Sequence, residues 1–195
     1  TRKEVYSTTG PRMQVRVFAG WDFGANDLHA DWVKAGYARG VPMGADMKPG
    51  KGAPRFIVSA LKDPMGANLD RVQMVKGWLD KTGKLHEQIY NIVWSDAAKR
   101  PLMANGKLAP VGDTVDLATA SYTNSIGAAQ LQTVWTDPSF DPGVKAFYYL
   151  RVLEIPTPRW PAYDALRYKV KMPPEVRMKD QERAYTSPIW YSPKS

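Results

Sequence analysis

Hydroxyl and arginine side chains near the start of the chain form the first group that could bind an anion. Thr8 and Thr9 precede a glycine, and Arg12 follows two residues after it. Hydroxyls beside a glycine can hold a phosphate or a metal-bound water, although their usual role is to bond the backbone of a turn. A guanidinium offers paired N–H donors to an oxyanion. The spacing leaves both roles open, and it does not show whether Arg12 meets the distant Arg159 and Arg183.

A second group lies in the segment EIPTPRWPAYDALRY, which mixes aromatic and basic side chains. Arg159, Trp160 and Tyr163 could stack on a sugar ring or a base and pair with an anion. The same composition occurs in packed connections, where arginine stems cover aromatic faces. If the three residues meet in an open cleft, they predict a carbohydrate- or polyanion-binding module. Burial of all three in the core would remove that function.

Metal and nucleotide chemistry lack the residue patterns that they need. The two histidines, His29 and His86, belong to no metal-binding motif. The absence of cysteine excludes disulfides and thiolate catalysis. The aspartates between residues 22 and 46 match no EF-hand spacing, and GADMKPGKGAP lacks the Ser or Thr of a phosphate loop. We therefore predict no catalytic residue and no metal ligand in this chain.

The formal net charge is +8, but the basic residues are scattered along the chain. No zinc-finger spacing and no aromatic ribonucleoprotein motif accompanies them, so we predict no nucleic-acid binding. No apolar stretch approaches the length of a membrane span.

The elements that must position these residues are mostly strands. Apolar alternation at residues 12–18 and 55–61 predicts two half-buried strands. Residues 71–78 and 87–95 surround the loop DKTGK and predict a β-hairpin. Residues 146–154 carry apolar side chains on both faces, which is typical of a central strand.

Helical signals are few and short. Asp31 can cap a helix that Gly40 closes, with a strand as the alternative there. Residues 161–168, which begin with proline, predict one or two helical turns.

The remaining segments complete the predicted fold. Short strands are expected at residues 114–119 and 130–135, and the tail after Lys171 is expected to be irregular until an apolar piece at residues 188–191. Sixteen prolines and fifteen glycines favour short elements joined by turns. We predict a mainly β protein: an antiparallel β-sandwich-like domain with long loops and one or two short helices.

Five long segments resemble one bacterial family, the domain of unknown function 3604, and together they run from about Arg2 to about Pro193. The segments are RKEVYSTTGPRMQVRVFAGWDF, GYARGVPMGADM, APRFIVSALKDPMGANLDRVQMVKGWLD, AFYYLRVLEIPTPRWPAYDALRY and QERAYTSPIWYSP.

The resemblance implies a relationship to the PHP (polymerase and histidinol phosphatase) metal-dependent phosphoesterases, which are bacterial and often exported. It therefore implies a periplasmic or secreted location. In that superfamily an N-terminal catalytic domain gathers His, Asp and Glu ligands around metal ions that activate water. The segment RKEVYSTTG resembles the end of that domain. Residues 1–11 are thus expected to end a truncated catalytic domain, and residues 12–195 to form a C-terminal β-rich accessory domain.

The family's metal ligands have no counterpart at any position here, so the resemblance places the divalent metal in the parent protein. It implies the N-terminal catalytic domain of the same polypeptide as partner, and a homo-oligomer as a further expectation. Tyr6, Thr8, Thr9 and Arg12 would lie nearest to the active site, where they could contact substrate. An accessory domain of this kind should expose an aromatic patch where the catalytic domain packs. An enzyme complete within this chain, built from Asp, Thr, Arg and Tyr, ranks below both binding functions.

Overall fold

Two β-sheets face each other across one core in the computed structural model, which describes residues 2–29 and 31–193. The predicted domain limits at residues 1 and 195 lie outside these described residues. The strands are β1 (Tyr6–Thr8), β2 (Gln14–Gly20), β3 (Gly40–Pro42), β4 (Asp46–Met47), β5 (Arg55–Leu61), β6 (Leu69–Leu79), β7 (Leu85–Trp94), β8 (Gln130–Thr136), β9 (Lys145–Pro158), β10 (Lys179–Thr186) and β11 (Ile189–Tyr191). The helices are a short 3-10 helix (Ala25–Leu28), α1 (Trp32–Arg39) and α2 (Trp160–Tyr168).

The larger sheet is built around β9. One edge of β9 pairs with β6, and β6 pairs with β7 in the hairpin that DKTGK predicts. The other edge of β9 pairs first with β11 and then with β10, while β1 pairs with β10. These pairs are antiparallel, and β11 and β4 form a parallel pair at the edge. The prediction of a central strand at residues 146–154 is confirmed.

The smaller sheet has the order β3-β2-β5-β8 and covers the inner face of the larger one. Its alternating residues, among them Val15, Val17 and Val58, are buried against Leu150 and Val152 of β9. On its outer face α1 packs through Trp32 near buried Phe18, Phe23 and Ile57. Burial of apolar area on both sides of this sheet is the main stabilising contribution. The mainly β, sandwich-like fold is therefore confirmed.

The cap and the hairpin were predicted correctly, whereas two segments were not. Asp31 accepts a hydrogen bond from the Lys34 N–H (3.4 Å), and α1 ends before Gly40, so the alternative strand there is wrong. Residues 114–119 form turns with one isolated bridge instead of a strand. The tail is irregular only at residues 172–178, because β10 then runs between β1 and β9. Its sequence KDQERAYT lacks apolar alternation, since it is held by backbone pairing and buries few side chains.

Two buried charge clusters fix the loops to the larger sheet. Lys76 lies 2.7 Å from the Asp137 carboxylate, which also accepts a hydrogen bond from the Tyr148 hydroxyl (2.8 Å). Asp70 is fully buried and pairs with Arg100 at 2.7 Å. Buried charges require such partners. The clusters therefore anchor the loop after β8 and the long segment after β7.

Candidate functional site

Candidate residues from opposite ends of the chain meet at one open cleft. Thr9, Arg159 and Trp160 line a cleft of about 620 Å³ at the end of the larger sheet where β9 leads into α2. Sequence reasoning did not single out most of the other lining residues, which include Arg177, Asp180, Glu182, Arg183 and Tyr185. Arg183 was proposed only as a possible anion clamp, and it does join Arg159 here.

Backbone pairing brings the three walls of the cleft together. The extended backbone of Arg159 precedes α2, and its N–H donates to the carbonyl of Met178 (2.8 Å) next to the start of β10. On the other side the Thr9 N–H donates to the Arg183 carbonyl (3.0 Å), and the Arg183 N–H donates to the Thr9 hydroxyl (3.0 Å). Main-chain hydrogen bonds of this kind hold the side chains at fixed positions.

The charges in the cleft are mostly paired. Arg177 lies 2.8 Å and Arg183 lies 3.5 Å from the carboxylate of Asp180. Burial acts to raise the pKa of Asp180, but the backbone N–H of Gln181 and the guanidinium of Arg177 outweigh it and lower that pKa. The Thr9 hydroxyl donates to the carboxylate of Glu182.

Arg159 supplies the positive charge that the cleft can offer to a ligand. Its Nη1 donates to the carbonyl of Arg177 at 3.3 Å, and none of its described contacts is a carboxylate. Three guanidiniums thus face two carboxylates, Asp180 and Glu182, and the balance suits one anionic group more than a dense polyanion.

Tyr163 does not reach the cleft. It lies on the outward face of α2 with an exposed fraction of 48%, on the same side of the helix as Leu166 (49%). Trp160 is 66% exposed and belongs both to this face and to the cleft. Helix α2 therefore presents an aromatic and apolar face to solvent next to the cleft.

The remaining predicted residues lie elsewhere. Tyr6 lines a separate cleft of about 410 Å³ on the outer face of the smaller sheet, and its hydroxyl donates to the Met13 carbonyl (3.0 Å). Thr8 pairs with Ala184 within the larger sheet. The Arg12 side chain is exposed, and its backbone N–H donates to the carboxylate of Asp63 (2.7 Å).

A buried carboxyl that sequence reasoning missed is coupled to the cleft. Glu154 of β9 is 1% exposed, and its Oε1 has no hydrogen-bond partner within residues 2–29 and 31–193. Burial, together with the charges of Glu182 and Asp63, raises the pKa of Glu154 to about 8. Strand periodicity could have predicted this burial, because Glu154 shares the inward face of β9 with Leu150 and Val152.

His86 and Asp80 have a local structural role in the hairpin of β6 and β7. His86 stacks on Trp78 with ring centroids 5.1 Å apart and lies 2.7 Å from the Asp80 carboxylate. The hydroxyl of Thr82 and the imidazole of His86 hold the pKa of Asp80 well below its usual value. In the described part of the chain, no group of three or more His, Cys, Asp or Glu residues could hold a metal ion. Among the same residues, no helix is both long and apolar enough to cross a membrane.

Comparison with known proteins identifies the family but offers no characterised relative. A family model described as "Protein of unknown function (DUF3604)" matches residues 1–193, so the chain belongs to that family. No curated protein and no solved structure matches the chain.

Proposed function

We propose that this member of the DUF3604 family is the C-terminal accessory β-domain of a PHP-like, metal-dependent hydrolase and binds part of the substrate. The divalent metal and its ligands would belong to the catalytic domain. The observation that carries this proposal is the meeting of Thr9, Arg159 and Trp160 in one open cleft. The family resemblance implies an exported protein, so we also propose a periplasmic or secreted location.

The chemistry of the cleft favours binding. The guanidinium of Arg159 can pair with one carboxylate, sulfate or phosphoryl group of a ligand. The exposed indole of Trp160 can pack against a ring or an apolar segment of the same ligand. Because Thr9, Glu182 and Asp180 also line the cleft, hydroxyl groups of the ligand find both donors and acceptors there.

The outward face of α2 is the surface that we assign to the catalytic domain. Trp160, Tyr163 and Leu166 are exposed on it at a spacing of three residues, and exposed apolar residues that share one helix face mark contact surfaces. Since Trp160 also lines the cleft, a domain packed on α2 would overhang a ligand held by Arg159. That arrangement would bring one substrate within reach of both domains.

A second candidate function is a carbohydrate- or polyanion-binding module that acts without a catalytic domain. It is favoured by the position of Arg159 and Trp160 in an open cleft instead of the core. The two functions differ in what the α2 face contacts, because a module acting alone needs no partner there.

Two measurements distinguish these functions. Metal content and phosphodiester turnover are determined for the complete gene product and for the 195-residue chain. With Mn²⁺ and bis-p-nitrophenyl phosphate, we expect the complete product to hold metal and to turn over the ester. The chain alone should do neither. Arg159→Ala in the complete product should raise KM and leave the metal content unchanged. Stoichiometric metal in the chain alone, or a complete product that holds no metal, would contradict the accessory role.

A matched pair of variants tests the α2 face. Tyr163→Ser with Leu166→Ser should raise the exposure of α2 to protease in the complete product, because the contact with the catalytic domain would be lost. Leu85→Ser is the control, since Leu85 is 79% exposed and lies in the hairpin beside the start of β9, at the end of that strand opposite to α2. Equal protection of α2 in both variants would favour the module that acts alone.

A further inference from the structure

A row of four aromatic rings crosses the outer face of the larger sheet. Trp190 lies 5.2 Å from Phe147, Phe147 lies 6.4 Å from Tyr149, and Tyr149 lies 6.5 Å from Tyr185, measured between ring centroids. The rings of Phe147 and Tyr149 are nearly parallel, with 10° between their planes. Trp190 is 47% exposed, and the other three rings are half-buried.

Gly77 allows one ring of this row, Phe147, to lie flat against the sheet. Gly77 of β6 pairs with Phe147 of β9, and a Cβ at Gly77 would lie 2.3 Å from the Phe147 ring. Glycine inside a strand loses backbone entropy and side-chain packing, and it often marks the close approach of another group. Here it leaves space for the Phe147 ring to lie across the neighbouring strand and present a face to solvent.

Polar side chains border the row on the same face of the sheet. Arg151 Nε donates to the Gln73 side-chain carbonyl (2.7 Å), and Gln73 donates in turn to Asn91 (2.8 Å). Gln73 pairs with Arg151 on one side and with Asn91 on the other, so the three side chains cross β9, β6 and β7 in one line. Gln73 is buried and holds the line together, so the half-buried Arg151 and Asn91 are the polar groups that it offers beside the rings.

The row is continuous with the cleft. Tyr185 is its last ring and also lines the cleft that holds Arg159 and Trp160. A ligand anchored at Arg159 can therefore extend over Tyr185 and Tyr149 toward Trp190 without leaving the surface.

We infer that the ligand of the cleft is an oligosaccharide whose chain extends along this aromatic row. The inference rests on the proposed binding role of the cleft. The C–H faces of sugar rings pack on aromatic rings, and their hydroxyls bond arginine and amide groups. The paired charges of Asp180 with Arg177 and Arg183 leave little excess positive charge for the closely spaced phosphates of a nucleic acid. A neutral or mildly acidic sugar chain fits this surface better.

Calorimetric titration of the chain with two oligosaccharide series tests the inference. The probes are oligogalacturonides and cello-oligosaccharides, from the disaccharide to the hexasaccharide, with single-stranded oligothymidylate as the nucleic-acid probe. We expect affinity to increase with chain length in one series. Trp190→Ala and Tyr149→Ala should each weaken the binding of the hexasaccharide about ten-fold and leave disaccharide binding unchanged.

Matched variants separate the row from the cleft. Tyr149→Phe keeps the ring and should retain the length dependence, whereas Arg159→Ala should weaken ligands of every length. Tyr168→Ala is the control, because Tyr168 is an exposed aromatic residue outside both surfaces. Circular dichroism melting of each variant checks that it is folded.

Each outcome decides between the two proposals. Affinity that does not depend on length, or that Trp190→Ala leaves unchanged, overturns the row while the cleft stands. Length-dependent binding that Arg159→Ala leaves intact contradicts the role of the cleft. Binding of oligothymidylate without either sugar series overturns the carbohydrate inference, and binding of no probe overturns both.

Discussion

The rings of Tyr149 and Tyr185 lie 6.5 Å apart on the outer faces of β9 and β10, and Tyr185 also lines the cleft beside Arg159. The pairing of β10 with β9 produces this contact, because it places Tyr185 opposite Arg151, two residues from Tyr149. One strand that the sequence did not predict thus connects the charged cleft to the aromatic sheet face.

The space above Gly77 predicts the effect of adding one methyl group. In Gly77→Ala the new Cβ would overlap the Phe147 ring, and overpacking of this kind costs about 1–3 kcal/mol of unfolding free energy. Urea denaturation measures that loss. Gly24→Ala is the matched control, because a Cβ there meets no atom within 4 Å. Equal stability of Gly77→Ala and Gly24→Ala would show that the Phe147 ring does not need the space.

The buried pair of Lys76 and Asp137 predicts a large loss of stability when one charge is removed. Asp137→Ala leaves Lys76, which is 2% exposed, without its carboxylate, and we expect a loss of about 3–5 kcal/mol. The double variant Lys76→Met with Asp137→Ala should recover most of it, because no uncompensated charge remains. Chemical denaturation of the three proteins at neutral pH checks this. A double variant no more stable than Asp137→Ala would contradict the assignment to charge burial.

The buried Glu154 predicts a pH dependence of stability. Its pKa rises from 4.5 to about 8 on folding, so the folded state binds more protons than the unfolded state between those values. Stability should therefore fall as the pH rises through this window and level off above about 8, with a total on the order of 4 kcal/mol. In Glu154→Gln this component should be absent, and the variant should be more stable than the wild type at alkaline pH.

The neighbour of Glu154 supplies a control for that measurement. Glu182→Gln removes one of the charges that raise the pKa of Glu154, so it should make the fall in stability smaller without abolishing it. Thermal melting from pH 4 to pH 9 follows all three proteins, a range set by the two pKa values. Identical slopes in the wild type and in Glu154→Gln would rule out a proton held by Glu154.

The contacts of Arg100 indicate how the long segment after β7 is held against the larger sheet. Its guanidinium pairs with Asp70 (2.7 Å) and donates to the carbonyls of Ala109 (3.0 Å) and Ser95 (3.2 Å). Arg100→Ala should free the segment, but Asp70 would keep Arg71 and Gln181 as partners, so we expect a loss of about 1–3 kcal/mol. Limited trypsin proteolysis should then cleave first at Lys99 or Lys107. Met103→Ala is a control in the same segment, because Met103 is 52% exposed and both lysines remain. Cleavage elsewhere in Arg100→Ala would contradict this anchoring role.

Local patterns predicted most of the fold. The hairpin around DKTGK, the cap at Asp31 and the central position of β9 depend on turn chemistry and apolar periodicity, which a single sequence contains. Strand β10 was missed because backbone pairing with two neighbours holds it, and that pairing leaves no apolar alternation in KDQERAYT. The predicted strand at residues 114–119 was wrong because its alternating residues meet no partner strand beyond one bridge.

The site was less predictable than the fold, because its parts are distant in sequence. Arg159 and Trp160 could be proposed from their local composition, but their meeting with Thr9 depends on the pairing of β1 with β10. Tyr163 follows Trp160 by three residues on the same face of α2. Only Trp160, at the start of the helix, lies close enough to β10 to line the cleft. The raised pKa of Glu154 depends on Glu182 and Asp63, which lie on other elements.

The binding role of the cleft is tested most directly by NMR titration of the isotope-labelled chain with trigalacturonate. We predict that the largest shifts fall on the Trp160 indole N–H, the Arg159 guanidinium and the Thr9 amide, with smaller shifts at Tyr185 and Tyr149. The Tyr6 cleft on the smaller sheet should show none. Shifts centred on Tyr6, or no shift at Arg159 and Trp160 with any sugar of either series, would contradict the account.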